Sequence, residues 1–151
     1  MDIAALEAEA ARLILPRFDE AAALQLGLIL LDLAKGRPVV LNIRNAHRTL
    51  FHAALPGSQA NEENWARRKS NTALMTGRAS MLVGLRNAEH SRSLQTDGLS
   101  EADYADHGGA VPLRVAGVGM VAVVTVSGLP QVEDHRLVVR GIEALMAQIS
   151  A

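Results

Sequence analysis

Three groups of side chains in this sequence could do chemistry. The first is His107-Gly108-Gly109. Paired glycines allow a backbone turn whose amide groups face a ligand, and a histidine beside them can donate, ligate or act as a base near neutral pH. The same glycines also suit a plain turn before a strand, so only the histidine is informative. The second group is Ser127-Gly128-Leu129-Pro130 followed by Glu133-Asp134-His135. A strand running into a helix N-terminus is a natural anion site. Here, however, Glu133 and Asp134 fall in the first turn, where they complement the helix dipole and would repel a phosphate. They read either as a well-capped helix or, for Asp134 and His135, as part of a polar cleft or a subunit contact. Ser127 lacks the G-x-S-x-G surround of a nucleophile elbow. The third group joins Arg44 and His52 on a predicted hairpin to Trp65, Arg68 and Lys69 on a predicted helix. Trp65 and Lys69 are four residues apart and share a helix face. They could form a basic-aromatic pocket for a small anionic ligand, with Trp65 as a stacking wall. The competing reading is that a single tryptophan, in a chain with only 3% aromatics, anchors packing.

Metal chemistry has less support. His47, His52, His90, His107 and His135 form no H-x-x-x-H or H-E-x-x-H pattern, although a site assembled from His52, His107 and His135 across the fold or between subunits stays open. The chain has no cysteine, which removes thiolate catalysis, disulfides and cysteine-based zinc sites. Fifteen Lys+Arg against sixteen Asp+Glu leave a net charge of −1, so no basic field favours nucleic acid. Asp2, Glu7, Glu9 and Arg12 interrupt the first residues and argue against a signal peptide. No apolar stretch approaches the roughly 20 residues that cross a bilayer. A soluble cytoplasmic chain with neither membrane nor nucleic-acid partner is the expectation.

The elements that must position these residues follow from periodicity and punctuation. Residues 3–11 read as a helix with a thin apolar stripe, and 12–18 as a strand in which Pro16 suggests a sheet edge or a bulge. Asp19 reads as an N-cap. It opens a helix that ends near Lys35, with Leu24, Leu28 and Leu31 as its stripe and Gly27 allowing close approach to a sheet. Residues 38–44 and 47–54 read as a hairpin turning at Asn45-Ala46. Residues 61–76 read as a helix with Asn61 near its N-cap, and 79–90 as a second helix. The stretch 91–109 reads as a long loop with one helical turn near Glu101–Tyr104, and long loops in compact domains are usually functional or mobile. Strands 110–115 and 118–127 follow. The last helix, 130–149, has the stripe Val138, Ile142, Leu145 and Ile149. This order implies one α+β domain over residues 1–151, an antiparallel sheet with helices packed on it.

Several of these segments carry a family pattern. The run from His107 to Leu129, with its Gly-Gly, Pro-Leu, spaced glycines and Val-Ser-Gly end, resembles the haem-degrading-domain superfamily, which includes GlcG-type proteins and the PduO C-terminal domain. Phe51–Gly57, the Trp65/Lys69 helix, Tyr104–Gly109 and Ser127–His135 resemble its uncharacterised cytoplasmic branch. The resemblance runs from Phe18 to the last helix. It implies a profilin-like, five-stranded antiparallel sheet, ring-like homo-oligomers, and a tetrapyrrole ligand such as haem or cobalamin. On this reading the ligand lies near His52, Trp65, Lys69, His107, Gly108, Gly109, Asp134 and His135. The rival readings are an assembly protein whose function lies in its oligomeric surface, and an enzyme using His107 or His135 as acid or base.

Overall fold

Strand β5 (Gly119–Ser127) is apolar on both faces, and its last six residues are buried, which places it inside a sheet rather than at an edge. The computed structural model, which describes residues 1–150, bears this out. β5 lies between β4 (Ala110–Val115) and β2 (Val40–Arg44) in a five-stranded sheet. β3 (Thr49–Ala54) forms one edge and β1 (Ile14–Leu15) the other, giving the order β1-β4-β5-β2-β3. Helices α1 (Ile3–Arg12), α2 (Glu20–Leu33), α3 (Ala60–Thr76), α4 (Ser80–Glu89) and α5 (Gln131–Ile149) complete the α+β fold.

The sheet is mixed, which corrects the antiparallel expectation. β1 runs parallel to β4, pairing Ile14 with Arg114 and Leu15 with Val115. Ala116 N donates to Leu15 O at 3.0 Å. Burial patterning records which face a strand presents but not its direction, and Pro16, lacking an N–H, stops the strand after two residues.

One sheet face carries Val39, Leu41, Ile43, Val111, Leu113, Val124 and Val126, buried under α2 and α5. From α2 it receives Leu26 and Leu30, both fully buried, each contributing about 1.5–3 kcal/mol of burial free energy. Leu24 and Leu28, expected in that stripe, are instead 55% and 63% exposed. The helix EAAALQLGLILLDL is apolar almost all round, so a period of 3.6 fits more than one face. Gly27 marks the true one: a Cβ there would overlap the Phe51 ring of β3. The other sheet face packs on α3, with Ala73 against Val123 and Ser70 Oγ 2.8 Å from Thr125 Oγ1.

Asp19 caps α2 by accepting from Ala22 N at 2.8 Å. The N-cap of α3 is Gln59, whose backbone N donates to Glu62 Oε2 at 2.9 Å, rather than Asn61. The long loop holds a 3-10 turn at Leu94–Asp97, seated by buried Leu94. α1 is laid on last: Leu6 enters a small cluster with Met81 and Leu82, Arg12 pairs with Glu143 at 2.8 Å, and Glu7 pairs with Arg86. Among the described residues no helix is long and apolar enough to cross a membrane.

Candidate ligand pocket around His107

Asn61, Glu62, Trp65 and Lys69 lie along one side of the first half of α3. They face the entry to β4, where His107 and Gly108 sit, and the β5–α5 junction, where Ser127, Gly128, Leu129, Gln131 and Asp134 sit. Together these residues line a pocket of about 260 Å³. It therefore brings together Trp65, Lys69, His107, Gly108 and Asp134, five of the residues that the sequence singles out.

The base of the pocket is an ion pair. Lys69 is 3% exposed and Asp134 2%. Lys69 Nζ donates to Asp134 Oδ2 at 3.1 Å, to Gly108 O at 3.1 Å and to Val126 O at 2.9 Å, which uses all three of its protons. Asp134 also accepts from Leu129 N at 3.0 Å and Gly128 N at 3.3 Å. Burial holds the Lys69 ammonium below its usual pKa against the pull of Asp134. Burial likewise pushes the Asp134 carboxyl up, against Lys69 and the two amides. The pair ties α3, the β4 entry, β5 and the start of α5 into one unit.

The two glycines serve this packing. A Cβ on Gly109, whose φ is +139°, would stand 2.5 Å from Lys69 Nζ and collide with Val126 O. One on Gly108 would lie 2.5 Å from Gln131 O. The Gly108 amide is already committed to Gln131 Oε1 at 2.9 Å. The Gly108 N–H is thus spent on the fold.

The reactive-looking group is His107. Its side chain is 54% exposed, with Nδ1 3.9 Å from Asp106 Oδ1. Its ring meets Trp65 edge-on at 5.1 Å between centroids, and Arg68 lies 4.4 Å above Trp65. His107 also borders two neighbouring clefts, one of about 370 Å³ with Met81, Leu85 and Arg92, and one of about 210 Å³ with Arg68 and Tyr104. The loop 91–109 therefore supplies a wall common to all three.

His52 and His135 lie elsewhere. His52 Nε2 is 3.0 Å from Glu63 Oε1, and its Nδ1 is 3.0 Å from Asn42 Nδ2. His135 is fully buried, with Nε2 2.6 Å from Glu9 Oε1 of α1. It follows Asp134 on α5, and a helix turns successive side chains by about 100°, which sends the two to different sides. Asn61, Glu62 and Gln131 had no distinguishing spacing in the sequence. For Gln131 the one available signal was its place directly after Pro130 at a helix start. Among the described residues, no three His, Asp or Glu side chains converge to hold a metal ion. Among the described residues, Lys69 is the only lysine or arginine lining the pocket, and Asp134 matches it.

A family model described as haem degrading protein HbpS-like matches residues 18–143. The chain belongs to that family. Among curated relatives, a UPF0303 protein of Streptomyces coelicolor is 45% identical over 149 residues, covering 97% of this chain and 94% of that one. A UPF0303 protein of Acidobacterium capsulatum is 44% identical over 147 residues, covering 95% and 89%. Among solved structures, Ybr137w aligns with a TM-score of 0.90 at 26% identity, over 100% of this chain and 91% of that one. A structure described as a PduOC:heme complex aligns at 0.71 and 19% identity, over 84% and 94%, which speaks for the fold alone. α1 and β1 precede the range that the HbpS-like model matches.

Proposed function

We propose that this protein is a homo-oligomeric tetrapyrrole-binding module of the cytoplasm, with His107 as the side chain that meets the macrocycle's metal. The observation that carries the reading is a single accessible imidazole at the meeting of three clefts, edge-on to Trp65. Among the described residues a bare metal ion finds no set of three protein ligands. Haem or cobalamin would bring its metal already held in its own ring, and His107 is the side chain that would hold it to the protein. The residues fit that demand. The pocket, at about 260 Å³, is smaller than the roughly 300–1,000 Å³ of enclosing ligand sites. A protomer therefore covers only part of a macrocycle, and the neighbouring clefts or a second copy cover the rest. Lys69 and Asp134 hold the pocket floor, with Gly108 and Gly109 permitting their approach, while Trp65 supplies an aromatic wall. When bound, the tetrapyrrole would supply its metal's ligand or redox chemistry. The relative described as a PduOC:heme complex supports the proposal by its description.

Haem titration tests it. Trp65 is the chain's one tryptophan, so its fluorescence reports occupancy directly. Saturable quenching with a Soret shift is expected, and both should weaken at least tenfold in His107→Ala, whose fold stays intact because the ring is half exposed. Absence of both signals with haem and with cobalamin at micromolar concentrations, in a folded sample, overturns the reading. An assembly role is favoured by a separate observation: exposed Leu24 and Leu28, the latter on a groove with Ile29, Leu33 and Ala144 between α2 and α5. Light scattering that finds only a 16.1 kDa species would remove the oligomer from both readings.

A further inference from the structure

Val83, Arg86, Asn87 and His90 stand at i, i+3, i+4 and i+7 on α4 or at its end, so they share one helix face. That face meets the Leu94–Asp97 turn and the end of α3 at Thr76, with Arg78 just beyond it. Together with Arg92 and Leu99 they line a cavity of about 190 Å³. Its base is apolar, since Val83 and Leu94 are buried. Its charged groups are Arg78, Arg86 and Arg92 against a single acid, Asp97. Arg78, His90 and Arg92 are exposed, so the cavity is open to solvent.

That charge is not answered within the fold. Asp97 is already held by Arg92 at 2.8 Å, and Arg86 pairs with Glu7, which lies outside the cavity. Among the described residues Arg78 has no side-chain partner. A further cation stands beside it, because Arg114 donates to Gly77 O. Burial, and after it the charge of Arg78, holds the Arg114 guanidinium below its usual pKa. The four cavities described above have the opposite balance. The His107 pocket sets Glu62 and Asp134 against Lys69, and its neighbours set Asp106 against Arg92, and Glu101 and Asp106 against Arg68. The α2–α5 groove has Asp32 and no cation. A chain of net charge −1 thus gathers unmatched positive charge in one concave place.

We propose that this cavity binds a small phosphate monoester. A phosphoryl group carries about −1.5 to −2 near pH 7 and offers three oxygens, which guanidinium forks match in bidentate fashion. A carboxylate brings one charge and two oxygens to the same arginines and answers them less fully. The apolar base calls for an organic body on the phosphate. The volume lies below the roughly 300–1,000 Å³ of enclosing ligand sites, which limits that body to about one small ring. Asn87 Nδ2 is spent on Asp106 at 2.9 Å and the Thr76 hydroxyl on Thr72 O at 2.8 Å, leaving recognition to the guanidiniums and His90. Arg92 also borders a neighbouring cleft, but His107 does not line this cavity, so the proposal stands apart from the tetrapyrrole reading.

Isothermal titration calorimetry at pH 8 tests it, with phenyl phosphate, inorganic phosphate and benzoate as probes at one fixed ionic strength. Phenyl phosphate should bind saturably, one per chain. Benzoate should bind at least about tenfold more weakly, for its missing charge and oxygen, and inorganic phosphate at least about threefold, for its missing apolar body. Arg78→Gln should weaken phenyl phosphate about tenfold, the loss of one charge-assisted contact. Arg37→Gln removes the same charge from an exposed position outside the cavity and should leave the affinity within about twofold, as should His107→Ala. Circular dichroism confirms the fold of each variant. No saturable heat at tens of millimolar phenyl phosphate overturns the proposal, as does benzoate binding equally well. An Arg37→Gln loss equal to that of Arg78→Gln assigns the binding to diffuse charge and overturns it too. A loss of that size in His107→Ala places the phosphate in the His107 pocket and likewise overturns it.

Discussion

Replacing Lys69 by methionine isolates the ion pair beneath the pocket. Methionine fills most of the lysine's volume but removes the ammonium and its three hydrogen bonds. Asp134, 2% exposed, then keeps the Leu129 and Gly128 amides but loses its counter-charge. Breaking one side of a buried pair costs about 3–5 kcal/mol, a large share of the roughly 5–15 kcal/mol that holds a domain folded. At about 2–4 °C per kcal/mol for a chain of this size, the melting temperature should fall by roughly 6–20 °C. The double variant Lys69→Met/Asp134→Leu separates charge from hydrogen bonding. If charge burial were the whole matter, removing both charges would restore stability. The structure predicts otherwise, because Gly108 O and Val126 O both lose the Nζ donor they share. Each stranded buried carbonyl costs about 1–3 kcal/mol, so the double variant should remain at least about 2 kcal/mol below wild type. Urea unfolding by far-ultraviolet circular dichroism, at one fixed protein concentration, measures all three proteins. A Lys69→Met midpoint equal to wild type, or a double variant that recovers fully, would refute the reasoning.

Gly27→Ala should destabilise by about 1–3 kcal/mol, because its methyl group overlaps the Phe51 ring and α2 must lift from β3; trimming the obstacle with Phe51→Leu in the same chain should recover part of the loss in a thermal melt. Asp103 is held below the usual carboxylate range chiefly by its hydrogen bond from Arg67, helped by Ser100. That stabilisation is fully present above the unfolded value near 3.8 and is lost as pH falls through the depressed folded value. Asp103→Asn should therefore flatten the decline of the urea midpoint below about pH 4, and a decline as steep as wild type's would contradict this.

How much of this was legible beforehand depends on what kind of physics placed each residue. Trp65 and Lys69 were paired by helical spacing, and Gly108-Gly109 by the backbone freedom that two adjacent glycines announce. Both arguments are local, and both put the residues where the pocket is. The role of Lys69 was not legible: a lysine on a polar helix reads as solvated or ligand-facing, and only long-range packing brings Val126 O and Asp134 to its three protons. His52 and His135 were grouped with the pocket because their segments are near it in sequence or topology. What removes them is side-chain direction, fixed for His52 by Glu63 and for His135 by Glu9. The buried face of α2 departs from its leucine spacing for a different reason. A helix apolar on nearly every side carries little phase information, and Gly27 was the better guide than the leucine spacing. The direction of β1 was beyond reach, because two residues carry no pairing preference.

The attachment of α1 has a consequence for how the molecule opens. A ten-residue helix is marginal by itself. This one buries a single residue, Leu6, and otherwise relies on surface ion pairs and on Glu9 meeting His135. Its detachment requires neither the sheet nor the α2–α5 core to part. In hydrogen-exchange terms it is the first cooperative unit to leave: amides of Leu6 to Leu13 should exchange through a sub-global opening far below the free energy that protects β5. That opening would wet His135, the one histidine that the closed molecule keeps dry, while leaving the His107 pocket whole. The protein thus carries two histidines on separate clocks, one always available to solvent and one available only for the fraction of time that α1 is away.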